Sequence, residues 1–577
     1  MTDAARSAVR AASGRTRDAG ASAALPALLS LVFCFTGLSN HPLRAADEPR
    51  VAGIAWEMAH TGDVLVPHLG GEPFMEHPPL YYAALAATIR AFGASDGAAR
   101  LPGALAAAAT LLLAFDLARR MAGRNAGLMA ILVLASAQGF FKYSHKVMVD
   151  TWLVAAVTLG FWAYARAACE PAEDEAPPGH LVVLLYGAAV VAFLVKGPIG
   201  VILLGGVVGA HALAARRWRF LRSRAHVPGA LLLIVGCAAW PAALYVFAGR
   251  ESFDAFFWDN FVYRIFPVEG AYGGGHEEAP WFYLLRLPAV VGGWIAVLPA
   301  FAAWILRGPL PSGWNAAMIR FAACVLPVGL LLLSVPGTKR SLYLLPALPA
   351  LAAALGAWIA STRVAPGSSR IERGTVRACA ALVALLAAAA RALALPAAAL
   401  ARRAGAAALA GRLATATAGL LERARVEARG AAPTRAMPQI AWLAFGFAVF
   451  ANVVLLARGD PGRDLGPMAS GILALAQDGR PLVAFELDEQ MRGGMPFYTG
   501  VILRNLPDVD ALRSFLRENP SARILQGDYT LDGFPEELPE LRETHTWPTA
   551  EGVYRVYEIA GAGPGSGDEG PRREALE

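Results

Sequence analysis

Two pairs of ionisable residues in one hydrophilic segment have types that could act on a bound substrate. Asp47 and Glu48 follow an apolar run, and Glu76 and His77 come directly before two prolines, which restrict the backbone around them. A carboxylate beside a bound hydroxyl can act as a general base. A solvated acidic pair at a helix end explains Asp47 and Glu48 equally simply, and the residues alone leave both interpretations open.

A further acidic residue lies at the start of an apolar segment. Asp150 opens the run at 148–167, where an ionisable side chain is costly and is therefore a candidate for function. The dipole of a helix also favours a negative charge at its N-terminus, without any function. Both interpretations of Asp150 stay open at this point.

Lysine is rare in this chain, in which arginine supplies nearly all of the 51 basic residues. The only lysines are Lys142, Lys146, Lys196 and Lys339. Chance in an arginine-rich sequence explains them, and so does a need for a compact ammonium at these sites. With Arg264 and Arg340 they could neutralise a phosphate or extend toward lipid head groups.

Metal binding has one indication. Glu76 and His276 are residue types that ligate divalent ions such as zinc, magnesium or manganese, but they are distant in the sequence. His276 follows three glycines and is otherwise an ordinary loop residue. The five cysteines show no CxxC or cysteine–histidine spacing, so we expect neither a structural disulfide nor a cysteine metal site.

The elements that must hold these residues are membrane helices. The chain has 577 residues, of which 56% are hydrophobic and 17% charged, against about 25% charged in soluble chains. The apolar residues come in blocks of about 20, the length of a helix that crosses a bilayer. The net charge of +6 is too small to indicate nucleic-acid binding. We therefore predict a mostly α-helical, polytopic membrane protein.

The apolar runs predict thirteen spans. They lie near 23–38, 101–118, 126–141, 148–167, 181–195, 198–214, 228–248, 288–306, 317–334, 341–360, 376–398, 403–421 and 437–457. With a cytoplasmic N-terminus, this number places four arginine clusters inside, as basic residues prefer. Without the least apolar run, 403–421, the Arg423–Arg435 cluster would lie outside. All four lysines then fall at the external end, which an anionic ligand would explain.

The spans also set the domain boundaries. We expect residues 1–21 to form a cytoplasmic segment and 22–457 a transmembrane domain with external loops at 41–100 and 249–287. Short amphipathic helices are expected in the first loop, near Val51–His60 and Leu80–Phe92.

The composition changes after the last span. Strand-like runs at Pro481–Phe485 and Ala522–Leu525 flank a helical pattern at Asp508–Asn519. This order predicts a small external α/β domain over 458–560, followed by a disordered tail over 561–577.

Several motifs occur in a fixed order between Ala46 and Pro349. They are Asp47-Glu48-Pro49-Arg50, Gly71-Glu72-Pro73-Phe74-Met75-Glu76-His77-Pro78-Pro79, Ala99-Arg100-Leu101-Pro102, Lys196-Gly197-Pro198, Asn260 with Arg264, Gly275-His276 with Trp281-Phe282-Tyr283, and Lys339-Arg340 with Tyr343-Leu344-Leu345-Pro346. In this order they resemble the ArnT-like, PMT-type glycosyltransferases, which depend on polyprenyl-phosphate sugars. The resemblance implies the GT-C fold, with thirteen spans and a periplasmic tail domain.

The resemblance also implies an activity and roles for single residues. The activity is inverting transfer of a sugar, such as 4-amino-4-deoxy-L-arabinose, from undecaprenyl phosphate to a periplasmic acceptor such as lipid A. Asp47, Glu48 and Asp150 are then catalytic candidates, and Glu76 with His276 a candidate metal pair. The candidates for binding phosphate or sugar are Lys142, Lys146, Lys196, Arg264, Lys339, Arg340, Tyr343, His77 and Tyr82.

One position departs from the family's usual pattern. The family usually has lysine after the equivalent of Glu76, whereas this chain has His77, an imidazole that can be neutral. Either Lys142, Lys146 or Lys339 compensates, or the donor differs. No nucleotide-binding motif is visible, so we expect no nucleotide cofactor.

These inferences predict a monomeric enzyme of the bacterial inner membrane, with its active site facing the periplasm and lipids as its partners. The alternative is a transporter or flippase of lipid-linked sugars. That class predicts inverted repeats and charges near the middle of the membrane. The sequence shows no clear repeat, and its candidate charges gather at one face.

Overall fold

The computed structural model describes residues 23–44, 47–171, 175–263, 277–307, 310–364, 433–455, 464–527, 540–549 and 552–560, with position 538 and short pieces between 374 and 427. These residues form two parts. A helical bundle extends to Leu455, and a smaller part that contains a sheet begins at Asp464.

Helices joined by short breaks build the bundle. They are Ala23–Phe35, Asp47–Thr61, Leu80–Phe92, Asp96–Ala122, Arg124–Ser136, Gln138–Ser144, Val149–Tyr164, Gly179–Lys196, Pro198–Ala214, Trp218–Leu221, His226–Ala243, Gly249–Asp254, Phe282–Val291, Leu298–Arg307, Ala316–Ser334, Leu348–Val364 and Met437–Phe450. Tighter or wider helical turns extend several of them: Ala165–Cys169, Leu244–Ala248, Ala255–Val262, Gly292–Val297, Ser341–Ala347, Pro433–Ala436 and Ala451–Leu455.

Seven of the described helices are long and apolar enough to cross a membrane. The number is eight if Arg124–Ser136 and Gln138–Ser144, which are bent by 71°, form one broken span. The predicted spans at 376–398 and 403–421 lie almost entirely outside the described residues. The chain is therefore a multi-span membrane protein, and the number thirteen stays a prediction.

The first long loop carries two helices instead of a membrane span. Leu80–Phe92 lies where the amphipathic pattern predicted a helix. The other helix begins at Asp47, ahead of the predicted start at Val51, with acidic residues in its first turn. A carboxylate at a helix N-terminus is favoured by the helix dipole, which explains the earlier start.

A small hairpin separates these two helices. Strand β1, His68–Leu69, pairs antiparallel with β2, Glu72–Pro73. The carboxylate of Glu57 accepts hydrogen bonds from the backbone N–H groups of Gly70 at 2.6 Å and Gly71 at 2.9 Å. The turn of the hairpin is thereby fixed to the preceding helix, just before the segment that contains Glu76.

The part from Asp464 is an α/β domain with a five-stranded sheet in the order β4-β3-β5-β7-β6. The strands are β3 Leu482–Phe485, β4 Asn505–Leu506, β5 Arg523–Gly527, β6 Leu541–Pro548 and β7 Val553–Ile559. Strand β3 is parallel to β4 and β5, whereas β7 is antiparallel to β5 and β6.

Helices pack on both faces of this sheet. Gly466–Ala476 and Glu489–Thr499 share one apolar cluster with the sheet, and Val509–Glu518 shares a second cluster on the other face. The domain therefore has a core of its own, separate from that of the bundle.

A close helix crossing joins the α/β domain to the bundle. The helix Asp47–Thr61 packs against Glu489–Thr499, and a Cβ atom at Gly53 would lie 2.3 Å from Gly493 Cα. Only glycine allows such an approach, because any side chain would overlap the opposite backbone. The α/β domain thus lies directly against the helix that starts with Asp47.

Candidate active site

The carboxylate of Asp47 is the meeting point of two distant segments. Its side chain is 27% exposed, and Arg50 Nη2 donates a hydrogen bond to its Oδ1 at 2.9 Å. Arg340 Nη2 lies 3.9 Å from Oδ2. The first loop and the segment before Ser341–Ala347 therefore converge here.

Arg50 is shared by three carboxylates. Besides Asp47, its Nη1 lies 2.6 Å from Glu489 Oε2 and 3.3 Å from Glu76 Oε2. Burial alone would lower the pKa of Arg50, but Glu76, Glu489 and Asp47 together outweigh burial and raise the pKa above its usual value. The guanidinium is consequently always charged and holds these acids around one point.

Asp150 and Lys196 form a buried ion pair. Lys196 Nζ donates to Asp150 Oδ1 at 2.6 Å, and the side chains are 7% and 3% exposed, respectively. Lys196 Nζ also lies 5.3 Å from the ring centre of Tyr343, a cation–π distance. The structure thus brings together two residues that the sequence analysis had singled out for separate reasons.

One small polar pocket is lined by most of these groups. Its lining residues are Asp47, Arg50, Val51, His77, Met148, Val149, Asp150, Lys196 and Arg340. A neighbouring cavity of about 110 Å³ shares His77 and Lys196 with this pocket.

The lining of the neighbouring cavity is amphiphilic. Its polar lining includes Glu76, Asn260, Thr338 and Tyr343, and its apolar lining includes Ile199, Ile202, Leu203, Phe256, Phe261, Leu332 and Leu333. A ligand with a charged head and a hydrocarbon tail matches such a combined site.

Glu48 does not face the pocket, although it was predicted to be catalytic. Its side chain is 1% exposed. Its oxygens accept hydrogen bonds from Arg100 Nε at 3.1 Å, from the backbone N–H of Val147 at 3.0 Å and from that of Arg44 at 2.9 Å. A carboxylate so enclosed has no room for a substrate, so the structure assigns Glu48 to holding the start of its helix.

Lys339 is also directed into the protein, against the prediction that it binds phosphate. Its Nζ donates to the carbonyl oxygens of Pro336 at 2.6 Å, Glu278 at 2.7 Å and Gly337 at 3.3 Å. An ammonium has only three donors, and here backbone oxygens take all of them. Lys339 therefore anchors the segment that presents Arg340.

The other predicted binding residues are only partly placed. Lys142 and Lys146 lie beside the ring of Tyr143, at 5.0 and 6.0 Å, and are not among the residues that line the pocket or the cavity. Tyr82 is buried with 1% exposure. The predicted residues Arg264 and His276 lie outside the described residues.

Metal-ligating side chains do not cluster in the described part of the chain. Among the residues that the structure covers, no group of three His, Cys, Asp or Glu side chains could hold an ion. Glu76 instead lies beside the guanidinium of Arg50, whose positive charge opposes cation binding. We therefore derive no chemical step through a metal.

Sequence reasoning did not single out Arg50 or Glu489. Arg50 is three residues after Asp47, a spacing that brings side chains together on a helix, so a helix predicted to start at Asp47 would have identified it. Glu489 is 439 residues away from Arg50, and no sequence signal connects the two.

Comparisons with known proteins give relatives over the region of this site. Residues 76–241 match the family described as dolichyl-phosphate-mannose-protein mannosyltransferase. A protein of Pseudomonas paraeruginosa named undecaprenyl phosphate-alpha-4-amino-4-deoxy-L-arabinose arabinosyl transferase is 29% identical over 364 residues, which are 61% of this chain and 62% of the relative. The protein of the same name from Aeromonas salmonicida is 31% identical over 351 residues, with 58% and 59% covered. The chain thus spans about three fifths of these relatives.

Solved structures extend the comparison to nearly the whole chain. ArnT from Cupriavidus metallidurans bound to undecaprenyl phosphate has a TM-score of 0.69 at 20% identity, covering 94% of this chain and 99% of that one. The same protein in the apo state has a TM-score of 0.71 at 21% identity, with 95% and 100% covered. The resemblance predicted from the motifs is thereby confirmed: the chain is similar in sequence to the ArnT-like glycosyltransferases and has the GT-C fold of ArnT.

Proposed function

We propose that this protein is a glycosyltransferase of a bacterial inner membrane that moves a sugar from undecaprenyl phosphate to an envelope acceptor such as lipid A. The names of its curated relatives support this donor class and give 4-amino-4-deoxy-L-arabinose as the sugar that those relatives transfer. The donor sugar of this chain is that one or a related pentose or hexose.

The observation that carries the proposal is the junction of the charged pocket with the apolar cavity. His77 and Lys196 line both spaces. A polyprenyl-phosphate sugar has an anionic centre between a sugar and a long hydrocarbon chain. In the proposed complex the first isoprene units occupy the cavity, the phosphate lies at Lys196, and the sugar lies near Asp47.

The cations supply the charge stabilisation that the reaction needs. When the bond between the sugar and the phosphate breaks, negative charge develops on the phosphate and the sugar becomes oxocarbenium-like. Lys196 and Arg340 line the pocket at fixed positions, so they stabilise the departing phosphate without reorganisation of solvent. The buried partner Asp150 keeps the ammonium of Lys196 in place.

Asp47 acts on the acceptor, which attacks the sugar from the face opposite the leaving phosphate. If the acceptor is a hydroxyl, the carboxylate takes up its proton as a general base. If the acceptor is a lipid A phosphate, which is already anionic, Asp47 takes up no proton and positions the acceptor instead. In both cases the product has inverted configuration at the transferred carbon.

His77 stands where the family usually has lysine, and other cations of the same pocket compensate for that missing charge. Lys339 is held by backbone carbonyls, and Lys142 and Lys146 are not among the lining residues. Lys196 and Arg340 are therefore the cations that we assign to the donor phosphate. His77 lines both the pocket and the cavity and contacts the donor as a weaker partner than a lysine would be.

A metal bound by Glu76 and His276 remains a separate hypothesis. It predicts that a chelator lowers transfer by wild-type protein and that the Glu76→Gln variant, with its residual activity, no longer responds. The rival role of Glu76 is its ion pair with Arg50. Transfer by wild-type protein that is unaffected by a chelator excludes the metal and leaves the ion pair.

The direct test of the proposed function is a mass spectrum of lipid extracts. A strain that lacks the gene is compared with its parent, and the proposal predicts the loss of one sugar mass from one envelope lipid. Complementation with the wild type restores that mass, whereas the Asp47→Asn variant does not. Glu518→Gln, an exposed substitution on the α/β domain, serves as the matched control and restores it. An unchanged lipid profile in the deletion strain contradicts the proposal.

A further inference from the structure

The α/β domain reaches the active site through one carboxylate. Glu489 is the first residue of the Glu489–Thr499 helix, and its Oε2 lies 2.6 Å from Arg50 Nη1. The same guanidinium donates from Nη2 to Asp47 at 2.9 Å. Only the side chain of Arg50 therefore separates the α/β domain from Asp47, the candidate general base.

The helix that carries Glu489 also contacts the second functional segment of the first loop. Arg492 Nη2 donates to the carbonyl oxygen of Leu69 at 2.7 Å and pairs with the carboxylate of Glu72. These two residues belong to the hairpin that precedes Glu76. The same helix also crosses the helix of Asp47 at Gly53 and Gly493. It therefore contacts both the helix that contains Asp47 and the hairpin that leads to Glu76.

The helix that carries Glu489 is fixed from both sides. Within the domain, Asp488 caps the helix by accepting from the backbone N–H of Met491 at 3.1 Å, and Tyr554 Oη donates to the same carboxylate at 2.6 Å. Toward the bundle, Tyr498 Oη donates to Asp96 at 3.0 Å. A side chain on so constrained a helix can set the position of its partner.

Arg50 needs such a constraint because its Nη1 group has two acidic neighbours. Glu489 lies at 2.6 Å from it and Glu76 at 3.3 Å, so Glu489 makes the shorter contact. Without this contact the guanidinium would be free to turn toward Glu76, its other acidic neighbour. Its hydrogen bond to Asp47 would then lose its fixed geometry.

We infer that Glu489 is a positioning residue of the active site, which holds Arg50 so that Asp47 and Glu76 keep the arrangement needed for sugar transfer. The inference rests on the proposed function. It makes the α/β domain a working part of the catalytic centre. Glu489 itself is not among the residues that line the pocket, so it acts through Arg50.

The split between kcat and KM tests this role. Donor binding depends on the cavity, Lys196 and Arg340, which Glu489 does not touch in the structure. Purified Glu489→Gln protein, assayed with a labelled polyprenyl-phosphate sugar, should therefore show a kcat about tenfold lower, the order expected for a lost charged hydrogen bond. Its KM for the donor and its melting temperature should stay close to wild type.

Two further variants complete the experiment. Glu518→Gln, the matched control on the same domain, should be indistinguishable from wild type. Glu489→Asp keeps the charge on a shorter side chain and should recover part of the lost kcat.

Three results would overturn the inference while leaving the proposed function intact: an unchanged kcat in Glu489→Gln, a change confined to the donor KM, or a loss of kcat that follows a lowered melting temperature. Inactive wild-type protein in the same assay would instead contradict the proposed function.

Discussion

Single charges in the candidate site are stabilised in pairs, and the pairs decide which substitutions the protein tolerates. Asp150 and Lys196 are the most deeply buried of these pairs. A buried charge whose partner is removed keeps its desolvation penalty without compensation. The stability of the bundle and the chemistry of the pocket therefore depend on the same two side chains.

Removing one partner of this pair should cost more stability than removing both. We expect Asp150→Asn to destabilise the protein by about 3 kcal/mol, because it leaves the ammonium of Lys196 buried and unpaired. The double variant Asp150→Asn/Lys196→Met should recover most of that stability but no transfer activity. Thermal unfolding in detergent measures the first effect and a transfer assay the second. A double variant less stable than Asp150→Asn would contradict the pairing.

The substitution His77→Lys tests how the donor phosphate is held. His77 lines both the pocket and the cavity, so a lysine there adds a permanent charge where we place the phosphate. We expect a several-fold lower KM for the donor at neutral pH. An unchanged KM would show that the phosphate does not pass this residue.

For single residues, the sequence indicated which side chains are candidates for function, but it did not indicate what each of them contacts. Asp47 and Asp150 were singled out from their positions beside apolar runs and Lys196 from the rarity of lysine, and all three line one pocket. Lys339 looked equivalent to Lys196, yet backbone carbonyls bind it. The difference depends on the local path of the chain around Pro336, which no spacing rule predicts.

Among the elements, the helix Asp47–Thr61 matters most, because it carries Asp47 and Arg50 and packs against the α/β domain. Its amphipathic pattern was visible in the sequence, but its first turn was not, since Pro49 and two acids interrupt the apolar periodicity. Proline and acidic residues are common in the first turn of a helix. Recognising that turn would have placed Arg50 beside Asp47.

The helix crossing at Gly53 provides a test at this scale. A methyl group there would lie 2.3 Å from Gly493 Cα, so Gly53→Ala must push the two helices apart. We expect a loss of stability of about 1–3 kcal/mol and a lower kcat. Gly205→Ala is the matched control, because a Cβ at Gly205 meets nothing within 4 Å. Equal behaviour of the two variants in thermal unfolding would contradict the close crossing.

A second element-scale prediction concerns the segment that joins the first helix to the loop. Arg100 Nη1 donates to the carbonyl oxygen of His41 at 2.8 Å, and Arg100 Nη2 lies 3.1 Å from His41 Nδ1. Burial and then the charge of Arg100 lower the pKa of His41 to about 4. The unfolded chain therefore binds the proton first as the pH falls.

His41 thus contributes stability that is present above about pH 6.5 and is lost as the pH falls toward 4. We expect the melting temperature to fall over this range. In His41→Gln it should fall by a few degrees less, which corresponds to a difference in stability on the order of 1 kcal/mol after allowance for solvent screening. Melting curves at several pH values measure the difference. Parallel curves for both proteins would contradict this assignment.

For the whole molecule, hydropathy predicted the helical bundle and the change of composition predicted the α/β domain. The predicted strand runs and the helix between them lie at β3, β5 and Val509–Glu518. The docking of this domain on the first loop was not predictable, because its contacts join residues about 400 positions apart. Long-range contacts of this kind leave no periodicity in a single sequence.

Orientation in the membrane is a property of the whole molecule, and labelling tests it. We propose that the pocket and the α/β domain face the periplasm and that the arginine clusters face the cytoplasm. In a cysteine-free background, a membrane-impermeant maleimide should label Glu518→Cys in intact spheroplasts. Arg216→Cys, in one of the arginine clusters, should be labelled only after permeabilisation. The reverse pattern would contradict the proposed topology.

The most direct test of the account is a transfer reaction with purified protein in lipid vesicles. Wild-type protein and Asp47→Asn are given the same labelled undecaprenyl-phosphate sugar and lipid A acceptor. We predict transfer by the wild type and a rate at least about 100-fold lower for Asp47→Asn, with equal protein amount and melting temperature. Equal rates for the two proteins would contradict the central claim that Asp47, Lys196 and Arg340 form one sugar-transfer site.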